Sequence, residues 1–326
     1  MRARRVGLGL LFGGGAAFLG GSYLAARALS GRLISAEGLG PTLCRREDLL
    51  AALEATGAQV HDFRHAGSAL DPVELAAIFA SAGTPKGRPA ILFLHGKGGN
   101  SAEWQPDALR ALSLGYSVLL PDLRGHAPSG GAFVTYGFLE KEDLARSIEA
   151  AARFGLDPER LGVHSCSAGS TVALEFAAGR SGVRAVWLES PYADPLEMAR
   201  HYLSVATGLP RWTLALTTRW AVRRAEERIR RQLGSPRETE SSHRVDPLRS
   251  LSQVRAAVCL VHGDRDELVP PRFTERLEAH LPAGSSTWCA TGAGHCHHED
   301  EPEKVMKDEY ARRWTEFFAK NLPLSS

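Results

Sequence analysis

Short apolar runs alternate with amphipathic stretches through most of this chain of 326 residues. Val60 to Arg64 and Leu75 to Ala80 read as an opening pair of strands, and Ala90 to Leu94, Ser117 to Leu120, Arg160 to His164, Val183 to Leu188, Ala256 to Val261 and Ser286 to Ala290 as further strands. Helical patterns lie between them. Ala102 to Leu112 is one, and Phe138 to Phe154 carries Leu144, Ile148 and Ala151 on one face. Ala168 to Ala178, Pro271 to Leu281 and Pro302 to Phe318 are the others. A short run that is apolar at nearly every position suits a strand buried on both faces. Strands alternating with helices predict an α/β fold, with a mostly parallel central sheet covered by helices on both faces.

The alternation stops between Pro191 and Val254. Tyr202, Leu209, Trp212, Leu214, Leu216 and Trp220 stand there without a strand pattern, followed by an arginine-rich stretch from Arg219 to Arg231. The expectation is a core of residues 59–190 and 255–322, interrupted by a helical cap insertion over 191–254. With Glu226 and Glu227 interleaved, the arginines read as a solvated helix face in preference to a nucleic-acid or lipid site. Residues 31–58 read as a linker or N-terminal extension.

The first thirty residues follow a different pattern. Arg2, Arg4 and Arg5 precede an uncharged stretch from Val6 to Ala26. About 20 apolar residues cross a bilayer core. The segment reads as a signal anchor, or as a signal peptide cut after Ala28, since Ala26 and Ala28 form an A-x-A site. The expected location is membrane-anchored, or exported if the segment is cleaved. Basic residues on both flanks, including Arg27 and Arg32, set orientation weakly.

Composition changes this picture little. The apolar fraction is 44% and the formal net charge is +2, which leaves no electrostatic footprint for nucleic acid. Cys44, Cys166, Cys259, Cys289 and Cys296 form no C-x-x-C pair and read as mostly free.

The chemistry gathers at strand ends. Val163 to Gly169 (V-H-S-C-S-A-G) reads as a strand, a sharp turn and the start of a helix, with small residues around Ser167. This fits G-x-S-x-G, a turn that lifts a serine hydroxyl out of the backbone at the top of a sheet. Ser165 stands where the pattern has its first glycine. The other candidates are the glycine loop from His95 to Asn100, the stretch from Asp122 to His126, the block from Gly263 to Pro270, and Gly292 to His295. The loop after His95 lacks G-x-x-x-x-G-K-[ST], so no Walker-type phosphate site is expected. The run from His295 to Glu299 lacks H-E-x-x-H spacing and reads as an exposed polar loop, with no metal site and no cofactor expected. Cys166 reads as a packed small residue.

In this order these five motifs resemble the α/β-hydrolase superfamily, over about Gln59 to Phe318, and most closely its single-domain esterases akin to the prolyl-oligopeptidase-type and monoacylglycerol-lipase-type enzymes. The resemblance implies a serine hydrolase acting through an acyl-enzyme. Ser167 would be the nucleophile, His295 the base and Asp266 the residue that orients it, with Asp194 as the alternative acid. The backbone N–H groups of Lys97 and Ala168 would form the oxyanion hole. The implied partner is a small acyl substrate. A carboxylic ester, possibly lipid-like, is the leading expectation, and a peptidase, amidase or thioesterase on the same triad is the alternative. The rival from another class is a non-catalytic, membrane-tethered binding protein of the same fold.

Overall fold

Eight strands form one sheet: β1 (Gln59–Ala66), β2 (Glu74–Ser81), β3 (Ala90–Leu94), β4 (Ser117–Pro121), β5 (Leu161–Cys166), β6 (Val183–Glu189), β7 (Ala257–Gly263) and β8 (Ser286–Ala290). Their order across the sheet is β1-β2-β4-β3-β5-β6-β7-β8. β1 pairs antiparallel to β2 and β2 antiparallel to β4, while every pairing from β4 to β8 is parallel. The helices are α1 (residues 20–34), α2 (Arg46–Ala55), α3 (Gln105–Ser113), α4 (Glu140–Ala152), α5 (Ala168–Ala177), α6 (Pro195–Thr207), α7 (Ala215–Gln232), α8 (Pro247–Gln253), α9 (Glu275–Glu278) and α10 (Lys304–Asn321). The structure is a computed structural model, and it describes residues 20–36, 44–234, 245–296 and 304–324.

The chain divides into two compact units. One holds residues 36–194 and 240–326 and contains the whole sheet; the other holds residues 1–35 and 195–239. In the sheet unit, β3, β4 and β5 are buried at every position, whereas the edge strand β1 alternates and β8 is mostly open. Successive strand side chains point to opposite faces, so one strand feeds two cores. Ala90, Leu92 and Leu94 of β3 pack with Leu144, Ile148 and Ala151 of α4 and with Val172, Leu174 and Phe176 of α5. Ile91 and Phe93 pack on the other side with Leu49 and Leu53 of α2, Ala108 and Leu112 of α3, and Trp314 and Phe318 of α10. A fully buried side chain of this size contributes about 1.5–3 kcal/mol, so both helix layers are strongly held.

The connections from β3 to β4 and from β5 to β6 leave in opposite directions across the sheet. In open α/β sheets the crevice at such a reversal, outside the carboxyl ends of the strands, is where ligands bind. The loop after β3 begins at His95 and the turn after β5 is Ser167.

Two boundaries differ from the expectation. Residues 31–58 are no plain linker, because they contain α2, and its Leu49 and Leu53 are fully buried in the second core. The segment read as an anchor also runs into structure. Residues 6–19 lie outside the described residues, but residues 20–26 begin α1, which passes through the A-x-A site. Ala26 and Leu33 of α1 are buried with Ala221 and Ala225 of α7 inside the smaller unit. Among the described residues no helix is long and apolar enough to cross a membrane. Among the described residues of 191–254 the regular elements are α6, α7 and α8, and α8 packs in the sheet unit through Leu251.

Candidate active site

Cys166 ends β5 and Ala168 begins α5, so one residue makes the turn. Ser167 makes it with φ 51° and ψ −122°, a conformation that costs an L-residue about 1–3 kcal/mol and persists only where the surroundings enforce it. Its own N–H donates to the carbonyl oxygen of Glu189 at 2.9 Å. Gly169 enforces the rest. A Cβ there would stand 2.6 Å from the carbonyl oxygens of both Leu94 and His95, so only glycine lets α5 start this close to the end of β3. Ser165 is fully buried. Its hydroxyl donates to Ser170 Oγ at 3.3 Å, and the Ser170 hydroxyl to the Glu189 carbonyl at 3.2 Å. The extra hydroxyl is therefore absorbed beneath the turn.

Two histidines brace the neighbouring loops. His95 Nε2 accepts from the N–H of Leu123 at 2.9 Å, so Nδ1 carries the proton and donates to the Gly96 carbonyl at 2.8 Å. His126 Nε2 accepts from the N–H of Gly98 at 3.1 Å, and its Nδ1 lies 3.0 Å from the Arg124 carbonyl. Burial lowers the pKa of His126, which keeps the ring neutral in this role. Arg124, fully buried, donates to Asp143 at 2.6 Å and to Asp71 at 2.7 Å. Asp122 accepts from the N–H of Ser101 at 2.8 Å and pairs with Arg46. The stretch from Asp122 to His126 is thus a brace, and its charges are taken up by Arg46 on one side and by Asp143 and Asp71 on the other.

That cavity opens beside the turn, lined by Lys97, Leu123, Val134, Tyr136, Ala168 and Val172 among others. Ala168 is the first residue of α5, so its N–H has no acceptor within the helix. Gly96 lies against the serine: a Cβ built on it would stand 3.4 Å from Ser167 Cβ. Lys97 and Ala168 line the same cavity on either side of the Gly96–Ser167 contact.

The acid and base candidates come from the far strands. His295 follows β8, and its Nδ1 lies 2.8 Å from Oδ2 of Asp266, in the loop after β7. Asp266 is 3% exposed. Its Oδ1 accepts from the N–H groups of Leu268 at 3.0 Å and Val269 at 2.7 Å, and its Oδ2 lies 3.4 Å from His262 Nε2. Burial pushes its pKa up, but the bonds from His262, His295 and Val269 outweigh burial and hold the carboxyl well below the usual carboxylate range. Asp194, the alternative acid, is partly exposed and lies 3.5 Å from Arg276. Asp264 accepts from the N–H of Gly292 at 2.7 Å, which shapes the loop before His295.

The second imidazole nitrogen faces a thiol. Cys296 Sγ lies 3.5 Å from His295 Nε2, and the Cys296 N–H donates to Ser190 Oγ at 3.3 Å. Cys166, the residue before Ser167, neighbours the same thiol and helps to push its pKa up. The histidine loop thereby reaches the serine turn through Cys296 and Cys166. Among the described residues no hydrogen bond joins Ser167 to His295. Cys296 is buried, which corrects the reading of an exposed polar loop from His295 to Glu299; residues 297–299 lie outside the described residues. Among the described residues no three His, Cys, Asp or Glu side chains gather to hold a metal ion.

Three features escaped the sequence reading. Val134 and Tyr136, in the segment before α4, and Glu140, the first residue of α4, line the cavity, and Tyr136 takes φ 55° beside Gly137. Cys296 was read only as part of a polar run. Beneath the serine turn, Glu189, His164 and Tyr310 form a buried cluster: Tyr310 donates to Glu189 Oε1 at 2.5 Å, and His164 Nε2 lies 3.0 Å from the same oxygen. A glutamate closing the apolar run from Ala185 to Leu188 was the available signal.

Residues 91–308 match the model of the alpha/beta hydrolase family. The chain belongs to that family. Among curated relatives, this alpha/beta hydrolase is 29% identical over 168 residues to the uncharacterized protein YqkD of Bacillus subtilis, covering 51% of each chain. It spans only about half the length of that relative. It is 27% identical over 229 residues, 70% of each chain, to an uncharacterized protein of Mycobacterium tuberculosis. In structure it is similar to the Pyrococcus furiosus esterase Pf2001, with TM-score 0.61 and 21% identity over 88% of this chain and 97% of that one. It is similar to the Pyrococcus horikoshii acylaminoacyl peptidase with TM-score 0.57 and 18% identity, over 82% of this chain and 42% of the peptidase. A bacterial membrane phospholipase A gives TM-score 0.56 and 19% identity over 98% and 99% of the two chains. At these identities the solved structures speak for a shared fold.

Proposed function

We propose that this protein is a serine hydrolase that cleaves a carboxylic ester through an acyl-enzyme, with Ser167, His295 and Asp266 as its triad. The observation that carries the reading is the conformation of Ser167: an L-residue held at positive φ, alone between a strand and a helix, beside a cavity. Strain of this kind, enforced by Gly169 and by Glu189, has a purpose when it presents a hydroxyl to a substrate.

The chemistry follows the atoms. Ser167 Oγ attacks the ester carbonyl carbon while its proton passes to His295 Nε2. The carbonyl oxygen becomes an oxyanion, which the N–H groups of Ala168 and Lys97 stabilise. Removing one such donor typically costs about 10²–10³ in rate. His295 then gives the proton to the departing alkoxide, leaving Ser167 acylated. Water then attacks the acyl carbon as His295 takes its proton; the bond from the acyl carbon to Ser167 Oγ breaks, His295 returns the proton to Oγ, and the acid is released. Asp266 fixes the imidazole by its bond to Nδ1 and stabilises the charged ring. Leu123, Val134, Tyr136 and Val172 offer the acyl chain an apolar wall. The membrane phospholipase and the esterase among the similar structures agree with an acyl ester substrate, the former with a lipid-like one.

A series of p-nitrophenyl esters of rising acyl length tests the reading. Hydrolysis with a kcat/KM maximum at a medium chain, abolished in Ser167→Ala, supports a lipid-like acyl ester. A preference for acetate removes the lipid part, and turnover of amides over esters of the same acyl group assigns an amidase instead.

A further inference from the structure

The unit formed by residues 1–35 and 195–239 departs from the rest of the chain in charge. Its described residues hold ten arginines, no lysine, no aspartate and three glutamates, a net charge of +7 in a chain whose total is +2. Arg27 and Arg32 of α1 and Arg219, Arg223, Arg228 and Arg231 of α7 are exposed. Glu227 lies 3.2 Å from Arg223 and Glu197 lies 2.9 Å from Arg211, so the glutamates answer only a minority of this charge.

The same unit carries five of the seven large apolar side chains exposed among the described residues: Tyr23, Leu24, Val205, Leu209 and Trp212. Trp212 is 81% exposed, whereas Trp104, Trp187 and Trp314 are fully buried. Val205, Leu209 and Trp212 follow one another across the end of α6 and the turn into α7. Single exposed apolar residues need no explanation, but a cluster of them on a basic unit does. Arginines alone would suit a nucleic acid. Leu24, Val205 and Leu209 have no use there, whereas a bilayer surface uses both kinds, phosphates for the arginines and the headgroup boundary for Trp and the aliphatic chains.

We propose that this unit docks on an anionic lipid bilayer, with the exposed arginines of α1 and α7 against lipid phosphates and Val205, Leu209 and Trp212 entering the headgroup boundary. This reverses the sequence expectation of a solvated face in preference to a lipid site, because the exposure of Val205, Leu209 and Trp212 beside the arginines is visible only in the folded unit. It does not depend on the hydrolase assignment.

The test uses the full chain with vesicles of phosphatidylcholine alone and of phosphatidylcholine with about 30% phosphatidylglycerol. Co-sedimentation with the anionic vesicles exceeds that with neutral ones and weakens as salt rises from about 0.1 M to about 1 M, because the screening length shrinks from about 10 Å to about 3 Å. Brominated lipid quenches tryptophan emission, and Trp212→Phe removes the quenching. Each arginine near an anionic surface adds about fivefold to partitioning, so replacing Arg219, Arg223 and Arg228 together by Gln lowers it by about 100-fold. Far-UV circular dichroism confirms that the variants fold, and the salt and quenching arms need no variant. Equal binding to neutral and anionic vesicles, unmoved by salt and by the triple variant, overturns the proposal and assigns attachment to the apolar segment before α1. Binding to neither vesicle, or to duplex DNA in preference to both, overturns it as well.

Discussion

His295 Nδ1 lies 2.8 Å from Oδ2 of Asp266, a carboxylate that is almost wholly buried and also accepts the N–H groups of Leu268 and Val269. Four donors in all, counting His262, hold one ionised group in place at the end of β7. A carboxylate so fixed can orient a neighbouring ring, because it has little freedom left. Replacing Asp266 by Asn should lower kcat for an ester by about 10⁴, the cost of an imidazole held in the wrong tautomer. Asp194→Asn should stay within a few-fold of wild type, since Asp194 is half-exposed and paired with Arg276. Steady-state kinetics on the two variants decides between the acids.

The same bonds make Asp266 a contributor to acid stability. Its folded pKa lies well below its unfolded value, which is about 3.9. The folded state therefore binds fewer protons than the unfolded state at low pH. The stabilisation is present in full above about pH 5 and is lost as pH falls toward the folded value. Denaturant unfolding of the wild type should weaken on descending below about pH 5, and Asp266→Asn should lose part of that slope. An unchanged slope in the variant would mean that other carboxylates carry the acid transition.

Gly169 is required by distance. A methyl group 2.6 Å from two carbonyl oxygens must push α5 away from β3. Overpacking of this kind costs about 1–3 kcal/mol, and here it also moves the Ala168 N–H. Gly169→Ala should lower the unfolding free energy by that amount and ester turnover by more than about tenfold. Ser165→Gly, in contrast, restores the family pattern and removes one 3.3 Å hydroxyl contact. Its stability should change by less than about 1 kcal/mol, with activity retained.

Cys296 places a sulfur 3.5 Å from His295 Nε2, which invites a thiol-nucleophile reading. Burial and its neighbours Cys166, Glu189 and Asp266 push this thiol well above the usual cysteine range, so it stays protonated near neutral pH and is a poor nucleophile. Cys296→Ala should keep ester turnover within about threefold of wild type, whereas Ser167→Ala should not. Loss of turnover in Cys296→Ala, with folding intact, would move the chemistry to sulfur.

The sheet was legible because β3, β4 and β5 are buried on both faces, so Ala90 to Leu94 and Val118 to Leu120 carry their burial as unbroken apolar runs. The strand-end positions of Ser167 and Asp266 were legible for a similar reason, since each follows a buried strand through a turn of small or polar residues, whereas His295 follows the mostly open β8 and was legible from its glycine-flanked motif. What the sequence hid depends on partners distant in the chain. Ala26 looks like part of a targeting segment until Ala221 and Ala225 of α7 are brought against it. Leu49 and Leu53 sit one helical turn apart, a signal available in the supposed linker, but their burial comes from strands and helices that follow. Cys296 reads as one polar position among histidines, and only the meeting of the β5, β6 and β8 ends encloses its thiol between Cys166 and His295. Tyr136 enters the cavity through a positive φ that no periodicity announces.

The central claim is that Ser167 is an activated nucleophile, and labelling by a fluorophosphonate probe tests it most directly. A single covalent adduct is expected, assigned by peptide mass spectrometry to Ser167, absent in Ser167→Ala and strongly slowed in a His295 variant. An adduct on another residue, or equal labelling of wild type and Ser167→Ala, would contradict it.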